Sequence, residues 1–121
     1  MSSVVTEQKG DVTVCYFRDA KILDEAIIQS IGQELGQAAD HAVAKKLVVN
    51  FRNVSFMSSA MIGKIILLNK KCKAADVKLK LCEISANVME VFKLMRLHKS
   101  LDIYGDEDKA VGSFDKKGWF G

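Results

Sequence analysis

The chain has 121 residues, of which 49% are hydrophobic and 27% are charged, and its formal net charge is +3. A chain of this length forms one domain around one core, and no apolar run approaches the roughly 20 residues of a membrane span. The composition therefore predicts a soluble single-domain protein, and the N-terminus, which lacks the basic and apolar regions of a signal peptide, favours the cytoplasm.

The N-terminal third predicts a β-hairpin followed by an amphipathic helix. Residues 12–17 are rich in β-branched and aromatic side chains, and the turn residues Lys9, Gly10 and Asp11 join them to a strand that begins at Val4. Apolar residues then recur at helical spacing, at Ile28, Ile31, Leu35, Ala38 and Ala42. We therefore expect the first helix to pack on the sheet that the hairpin begins.

The middle third predicts a strand, a helix and a second strand. Residues 46–51 are apolar on both alternating faces, which is typical of a central strand between parallel neighbours. Residues 58–75 predict a helix with an apolar stripe of Met61, Ile65, Leu68 and Cys72. In residues 77–82 apolar positions alternate with Lys78 and Lys80, so we expect this strand to bury one face and to leave the other in water.

The next segment predicts a third helix and the last strand. Ser85 or Asn87 is placed to cap the helix, and Glu90 stands at the spacing of a capping box from Asn87. The apolar stripe of this helix comprises Val88, Val91, Phe92 and Met95. Residues 101–104 then end the sheet. Strands and helices alternate, so we expect parallel strands joined by right-handed crossovers, with the hairpin as an antiparallel edge.

The C-terminus predicts a short helix and a tail. Three adjacent acids at 106–108 open a helix over residues 106–114, where carboxylates favour the positive end of the helix dipole. Residues 115–121 are interpreted as a tail. The whole pattern, which contains no proline and no repeat, predicts one compact α/β domain over residues 1–114.

Residues that carry catalysis or bind metals do not cluster in the sequence. His41 and His98 lie in different predicted elements, and neither has a cysteine or carboxylate at metal-ligand spacing. The adjacent acids at 106–108 point in different directions on a helix, so they make a poor metal cluster. The glycine-rich loops of nucleotide-binding proteins and the G-x-S-x-G elbow of hydrolases are absent from the sequence. We therefore expect no catalytic residue, no metal and no cofactor.

The cysteines and lysines have ordinary structural interpretations. Three cysteines at widely spaced apolar positions predict buried, reduced thiols rather than disulfides or zinc ligands. They are Cys15, Cys72 and Cys82. Six lysines crowd into residues 64–80 without interleaved arginines or aromatic residues, which favours a solvated surface over a nucleic-acid site. We therefore expect no direct contact with nucleic acid and none with a membrane.

Two adjacent serines, Ser58 and Ser59, stand at the predicted start of the second helix. A serine at this position accepts a hydrogen bond from an unpaired backbone N–H, which stabilises a helix by roughly 1 kcal/mol, and one serine is enough. A phosphate is also tolerated there, because free N–H groups and the helix dipole favour negative charge. The second serine is therefore either spare or a modification site, and spacing alone favours the cap.

The same junction resembles the signature of the STAS domain family, and within it the bacterial anti-sigma factor antagonists. Val54-Ser-Phe-Met-Ser-Ser-Ala-Met-Ile-Gly63 is similar to the family's V-x-F-M/I-D-S-S-G-L-G motif between a strand and a helix. Leu23-Asp24 looks like the family's L-D pair before the first helix, and Ser85-Ala-Asn-Val-Met-Glu-Val-Phe92 looks like its S-P-x-V-x-x-x-F helix start. The resemblance covers nearly the whole chain.

The resemblance implies a fold and a function. The fold is a single STAS-like α/β domain with a mixed, mostly parallel sheet of four to five strands, an N-terminal antiparallel hairpin and three to four helices. The function is that of an anti-sigma factor antagonist without enzymatic activity, which sequesters an anti-sigma factor and so frees a sigma factor for transcription. The implied partners are an anti-sigma factor serine kinase of the histidine-kinase-like ATPase fold and a metal-dependent serine phosphatase.

The resemblance also implies which residues act. The phosphorylated serine of the motif corresponds to Ser59, with Ser58 as the second candidate. The implied partner-binding face comprises Leu23, Asp24, Met57, Ser58, Ser59, Met61, Ile62 and Lys64. A phosphate on Ser59 would add negative charge at the centre of this face, and Lys64 could partly neutralise it. The methionines and the isoleucine of the face have two open interpretations, buried packing or an exposed apolar patch.

Two other functions remain open from the sequence. A STAS scaffold subunit of a stress-signalling assembly would pack with copies of itself, and an exposed Trp119-Phe120 tail would fit that role. A STAS domain that binds a small ligand or a lipid is the second alternative, and it would change its thermal stability when that ligand is added. A large assembly in solution would favour the scaffold, whereas a monomer or a weak homodimer is compatible with the antagonist.

Overall fold

A computed structural model describes residues 2–119 of the chain. Its strands are β1 (Val4–Lys9), β2 (Val12–Phe17), β3 (Lys21–Ile22), β4 (Lys46–Asn50), β5 (Phe56–Met57), β6 (Lys78–Cys82) and β7 (Ile103–Tyr104). Its α-helices are α1 (Glu25–Asp40), α2 (Ser59–Ala74), α3 (Ala86–Leu94) and α4 (Glu107–Trp119), and a short 3-10 helix spans Leu97–Lys99.

Within the described range, the main sheet has five strands in the spatial order β1-β2-β4-β6-β7. β1 pairs antiparallel with β2, and every other neighbouring pair in this sheet is parallel. Gly10, which has a φ of +61°, makes the tight turn between the first two strands. The predicted mixed, mostly parallel α/β fold with an N-terminal antiparallel hairpin is confirmed.

One face of the main sheet is covered by α1, α2 and α3, and the larger core lies between them. Aromatic rings run through this core, with ring centroids 5.1 Å apart for Phe17 and Phe51 and 6.4 Å apart for Phe51 and Phe92. The apolar stripe predicted for α2 is buried here, and so are Ile28, Ile31 and Leu35 of α1. Ala39 rather than Ala38 completes the buried stripe of α1, and Ala42 lies beyond the end of the helix at Asp40. These helices are therefore held mainly by the packing of one apolar face on the sheet.

The opposite face of the sheet is covered by α4, and the sequence analysis predicted this helix but not its position on the sheet. Cys82 is fully buried on this face, and the side chain of Lys80 is only 12% exposed. The Lys80 ammonium lies 4.7 Å from the ring centroid of Phe114, a residue of α4. The prediction that one face of residues 77–82 lies in water therefore holds at Lys78, which is exposed, and is wrong at Lys80 and Cys82, because α4 crosses that part of the face.

α4 is also longer than the predicted helix over residues 106–114. It continues to Trp119, through the first residues of the segment interpreted as a tail, while Phe120 lies outside the described residues. Ala110, Val111 and Phe114 pack on the sheet and hold the helix in place. The docking of this helix on the sheet depends on that tertiary packing, which local sequence signals do not report.

α3 differs from its prediction at both ends. Ser85, rather than Asn87, caps the helix, and its hydroxyl accepts a hydrogen bond of 3.3 Å from the Val88 amide. Met95, which was predicted to lie on the buried stripe, is 45% exposed because the helix ends at Leu94 and Met95 follows it. The buried contacts of α3 come from Val88 and Phe92.

β3 and β5 form a separate parallel pair, in which Lys21 lies opposite Phe56 and Ile22 opposite Met57. The sequence analysis missed both strands, because two residues are too few to show a periodic pattern. The pair joins the segment before α1 to the segment before α2, so it holds the N-termini of these two helices side by side. None of the described helices is long and apolar enough to span a membrane.

Candidate functional site

Ser58 is the N-cap of α2. Its backbone is extended, with φ −76° and ψ 165°, and its Oγ accepts a hydrogen bond of 3.4 Å from the Met61 amide. Its carbonyl oxygen accepts hydrogen bonds of 3.1 and 3.2 Å from the amides of Met61 and Ile62. The half-buried hydroxyl of Ser58 therefore does the structural work that the sequence analysis assigned to one serine of the pair.

Ser59 is the first residue of α2 and its side chain is exposed. No hydrogen bond joins its hydroxyl to another group in the described part of the chain. The first turn of α2 contains no acidic residue, so no carboxylate offsets the positive end of the helix dipole there. The structure thus separates the two serines: Ser58 holds the helix, and Ser59 offers a free hydroxyl where added negative charge is tolerated.

The junction between β5 and α2 is held in place by hydrogen bonds to the segment before α1. The Ser58 amide donates to the Ile22 carbonyl at 3.1 Å, and the Ser55 amide donates to the Ala20 carbonyl at 2.8 Å. Ile22 and Met57 are buried beneath this connection. Because both sides of the junction are fixed, the Ser59 hydroxyl has a defined position on the surface.

Leu23 and Asp24 lie beside this junction, and they differ in role. The Asp24 carboxylate caps α1, since its Oδ1 accepts hydrogen bonds of 2.8 and 3.3 Å from the amides of Ala26 and Ile27. The Leu23 side chain has no such structural task and is 54% exposed. The structure therefore brings the start of α1 next to Ser58, as the predicted binding face requires, with Leu23 as its exposed apolar residue.

Three residues of the predicted binding face are buried. Met57, Met61 and Ile62 all belong to the main core, and Met61 is fully inaccessible to solvent. The interpretation of these side chains as an exposed apolar patch is therefore wrong, because they pack into the core from β5 and from the start of α2. They support the junction from below, and a partner at the surface would not touch their side chains.

Lys64 reaches toward α1 rather than toward Ser59. Its ammonium donates a hydrogen bond of 3.1 Å to the Gln29 side-chain oxygen. Its alkyl chain lies against Gly32, where a Cβ would come within 2.9 Å of the lysine Cδ. Lys64 thus spans the two helices, and neutralisation of a phosphate on Ser59 would require it to leave Gln29.

A surface groove, here called the α1–α2 groove, begins at the junction and follows the two helices. The part next to the junction has a volume of about 520 Å³ and is lined by residues that include Leu23, Ile28, Ser58, Ala60, Lys64 and Leu67. An adjoining part of about 390 Å³ shares Gln29, Lys64 and Leu67 with the first and reaches Gly36 and Lys71. Ser59 therefore lies beside the end of the α1–α2 groove that is next to the junction.

A second polar cluster lies on the other side of the sheet, away from the serines. Glu107, at the start of α4, is buried, and its Oε1 accepts hydrogen bonds from the Tyr16 hydroxyl at 2.6 Å and from the Asn50 side chain at 2.9 Å. Its other oxygen accepts a hydrogen bond from Lys9. Glu83 joins the cluster by accepting hydrogen bonds of 3.1 Å from Asn50 and from the Glu107 amide.

This cluster fastens α4 to the sheet. Burial alone would raise the pKa of Glu107, but the hydrogen bonds from Lys9, Tyr16 and Asn50 outweigh it and hold that pKa below its ordinary value. Burial, together with the hydrogen bond to Glu107, raises the pKa of Tyr16 to about 12. The interpretation of residues 106–108 as simple partners of the helix dipole missed this role of Glu107, since nothing in the local sequence indicates which acid is buried.

The remaining chemically active side chains show no further site in the described residues. Cys15, Cys72 and Cys82 are buried free thiols, as predicted, and burial raises their pKa values to about 12, 11 and 12. His41 and His98 are exposed in separate parts of the fold. Among residues 2–119, no group of histidine, cysteine or acidic side chains is arranged to hold a metal ion.

Comparison with known proteins places this fold and junction in a family. The sequence model of the STAS domain matches residues 3–110. The chain therefore belongs to the STAS domain family, as the resemblance of its junction implied. Its structural neighbours include anti-sigma factor antagonists.

Three solved structures illustrate the likeness. An anti-sigma-factor antagonist (STAS) domain protein from Planctomyces limnophilus is 18% identical, with a TM-score of 0.82 and coverage of 93% of this chain and 98% of its own. An RsbS variant from Moorella thermoacetica is 14% identical, with a TM-score of 0.81 and coverage of 97% and 98%. The phosphorylated form of the Bacillus cell fate determinant SpoIIAA is 17% identical, with a TM-score of 0.69 and coverage of 92% and 98%. The TM-scores show that the fold is shared, and at identities this low the likeness extends to the fold alone.

Proposed function

We propose that this STAS domain is an anti-sigma factor antagonist whose binding is switched off by phosphorylation of Ser59. In the unmodified state the domain sequesters an anti-sigma factor in the cytoplasm, and a sigma factor is freed for transcription. The anti-sigma factor is also the kinase, a serine kinase of the histidine-kinase-like ATPase fold. A metal-dependent serine phosphatase removes the phosphate and resets the switch.

The observation that carries this proposal is the different environment of the two serines. Ser58 caps α2, whereas Ser59 exposes a free hydroxyl at the start of the same helix. A kinase can reach Ser59 without unfolding the domain, and modification leaves the cap intact. The solved structure of SpoIIAA in a phosphorylated form supports the idea that this fold carries a phosphate.

The switch would act through charge at the partner surface. A phosphate adds a charge of about −1.5 to −2 at pH 7. Within the domain this charge is tolerated, because the first turn of α2 has free N–H groups and no carboxylate. Against a partner, the same charge would be stripped of water in the interface, which costs several kcal/mol when no cation pairs with it. Binding is therefore weakened while the fold is preserved.

Substitutions at Ser59 test the proposal through the affinity for the anti-sigma factor. We expect Ser59→Asp to weaken binding at least tenfold, which corresponds to about 1.4 kcal/mol, and Ser59→Ala to change it less than threefold. Isothermal titration calorimetry on the purified proteins measures both. Ser100→Asp is the matched control, because it makes the same substitution at an exposed serine that lies outside the α1–α2 groove.

The expected order of affinity separates a switch from a general effect of charge. Ser59→Ala and Ser100→Asp should both bind with an affinity close to that of the unsubstituted protein, and Ser59→Asp alone should bind weakly. Equal affinities for Ser59→Asp and Ser59→Ala would refute the charge switch at this serine.

A further inference from the structure

We propose that the α1–α2 groove is the docking site for an acidic amphipathic segment of the protein partner, with aliphatic side chains in the groove and a carboxylate opposite Lys64. The inference rests on the proposed function, because the partner is the anti-sigma factor that approaches Ser59. It adds a surface that extends along α2, beyond the residues of the sequence motif.

The apolar part of the argument comes from two exposed leucines. Leu23 is 54% exposed and Leu67 is 58% exposed, and both line the part of the groove next to the junction. Leu23 precedes α1 and Leu67 lies on α2, so they stand on opposite walls. Large aliphatic side chains that share a concave, partly exposed surface are typical of a site that a partner covers.

The charge of the groove comes mainly from Lys64. Its ammonium bonds to the neutral Gln29 side chain, and it has no carboxylate partner within the described residues. Lys71, at the far end of the groove, is already paired with Asp40 at 3.1 Å. Glu25 also lines the junction part of the groove, but the Lys64 ammonium bonds to Gln29 and not to this carboxylate. The cation at the centre of the groove is therefore available to an acidic partner segment.

The shape of the groove favours a chain segment over a small ligand. Its two parts adjoin through Gln29, Lys64 and Leu67, so it extends along the helices as a furrow open to the surface. Gly32 keeps the α1 wall low, since a side chain there would meet Lys64. An amphipathic helix that lies between two helices uses this kind of surface, with its apolar residues turned inward.

Position also links the groove to the candidate switch. Ser58 and Ala60, the neighbours of Ser59 on either side, both line the part of the groove next to the junction. A protein that brings a kinase site to the Ser59 hydroxyl must therefore cover the mouth of the groove. A phosphate at Ser59 would then lie beside the acidic segment and repel it. This repulsion would add to the cost of removing water from the phosphate in the interface.

Site-specific photo-crosslinking in the native cells tests the proposal on the full chain. A photoreactive phenylalanine replaces Leu67 in the groove, Ala60 beside Ser59, or Val43, which is 83% exposed and outside the groove. We expect one and the same protein to be crosslinked through positions 60 and 67, and not through position 43. Mass spectrometry should place the crosslink from position 67 in a segment with aliphatic and acidic residues.

The outcomes separate the groove from the proposed function. Crosslinking of the partner through position 60 but not through position 67 would overturn the groove and leave the switch standing. Crosslinking of position 67 to a second copy of this chain or to a lipid would also overturn it. Absence of any protein partner at both positions would overturn the groove together with the proposed function.

Two substitutions then measure the contribution of the groove to affinity for the protein recovered through position 60. We expect Leu67→Ser and Lys64→Glu each to weaken binding at least tenfold, whereas Lys70→Glu, on an exposed part of α2 outside the groove, changes it less than threefold. Circular dichroism checks that each variant is folded. Unchanged affinity for Leu67→Ser and Lys64→Glu would contradict the proposal.

Discussion

At the scale of single residues, the structure resolves why two serines stand at the start of α2. The sequence could place both at a helix N-terminus, but it could not assign the cap, because adjacent residues compete for that role. The backbone decides, since Ser58 is extended and Ser59 is the first helical residue. The burial of Met57, Met61 and Ile62 was equally open in the sequence, where an apolar residue near a helix start fits a core and a surface patch alike.

The assignment of the cap predicts a difference in stability between two alanine variants. Ser58→Ala should lower the free energy of unfolding by about 1 kcal/mol, because the Met61 amide loses its side-chain acceptor. Ser59→Ala should change it by less than about 0.5 kcal/mol, since an exposed residue without partners is replaced. Urea unfolding followed by circular dichroism measures both, and an equal loss for the two variants would contradict the assignment.

Glu107 predicts a pH dependence at the same scale. Its pKa in the folded state lies below the value of about 4.3 for an unfolded chain. The carboxylate therefore contributes stability at pH values above about 4.3, and this contribution is lost as the pH falls through the folded-state pKa. We expect Glu107→Gln to be about 1–3 kcal/mol less stable than the unsubstituted protein at pH 7. The gap should shrink as the pH falls below about 4.3 toward the folded-state pKa.

Urea titrations across that pH range measure the gap directly. Asp108→Asn is the matched control, because Asp108 is an exposed acid one residue further along α4. It should leave the stability at pH 7 nearly unchanged. A gap between Glu107→Gln and the unsubstituted protein that widens toward low pH would contradict the direction of the pKa shift.

At the scale of elements, the sequence was most informative where one face of an element is buried. The hairpin, α1 and α2 followed from periodicity and turn residues, because each repeats its pattern over several residues. β3 and β5 are two residues long, and they exist through their mutual pairing. The contact of α4 with the face of the sheet that carries Lys80 depends on residues far apart in the chain, which periodicity does not report.

The contact of α4 with the sheet predicts the effect of a substitution at Phe114. This ring packs on the second face, with the ammonium groups of Lys46 and Lys80 at 5.9 and 4.7 Å from its centroid. Phe114→Ala should destabilise the domain by about 1–3 kcal/mol through lost apolar burial and lost cation–π contacts. Phe114→Leu should recover most of this loss, because it restores the apolar volume.

Thermal unfolding of the two variants provides the measurement. Neither variant should alter the affinity for the anti-sigma factor, since α4 and the candidate site lie on opposite faces of the sheet. A Phe114→Ala variant as stable as the unsubstituted protein would show that α4 is not held by this contact.

At the scale of the whole molecule, the two faces of the sheet have different roles. The face under α1, α2 and α3 leads to the junction with Ser58 and Ser59, and the face under α4 holds a polar cluster with a structural role. The resemblance in the sequence pointed to the family and to the serine junction. The groove beside that junction could not be predicted, because it forms only when α1 and α2 pack side by side.

The central claim is that Ser59, and not Ser58, accepts a phosphate under control of the cell. Phosphopeptide mapping of the protein isolated from its own cells, under two growth conditions, tests this most directly, because fragment ions distinguish the two adjacent hydroxyls. We expect a phosphate on Ser59 whose occupancy changes with growth condition, while Ser58 stays unmodified. Both serines unmodified in every condition, or a phosphate confined to Ser58, would contradict the account.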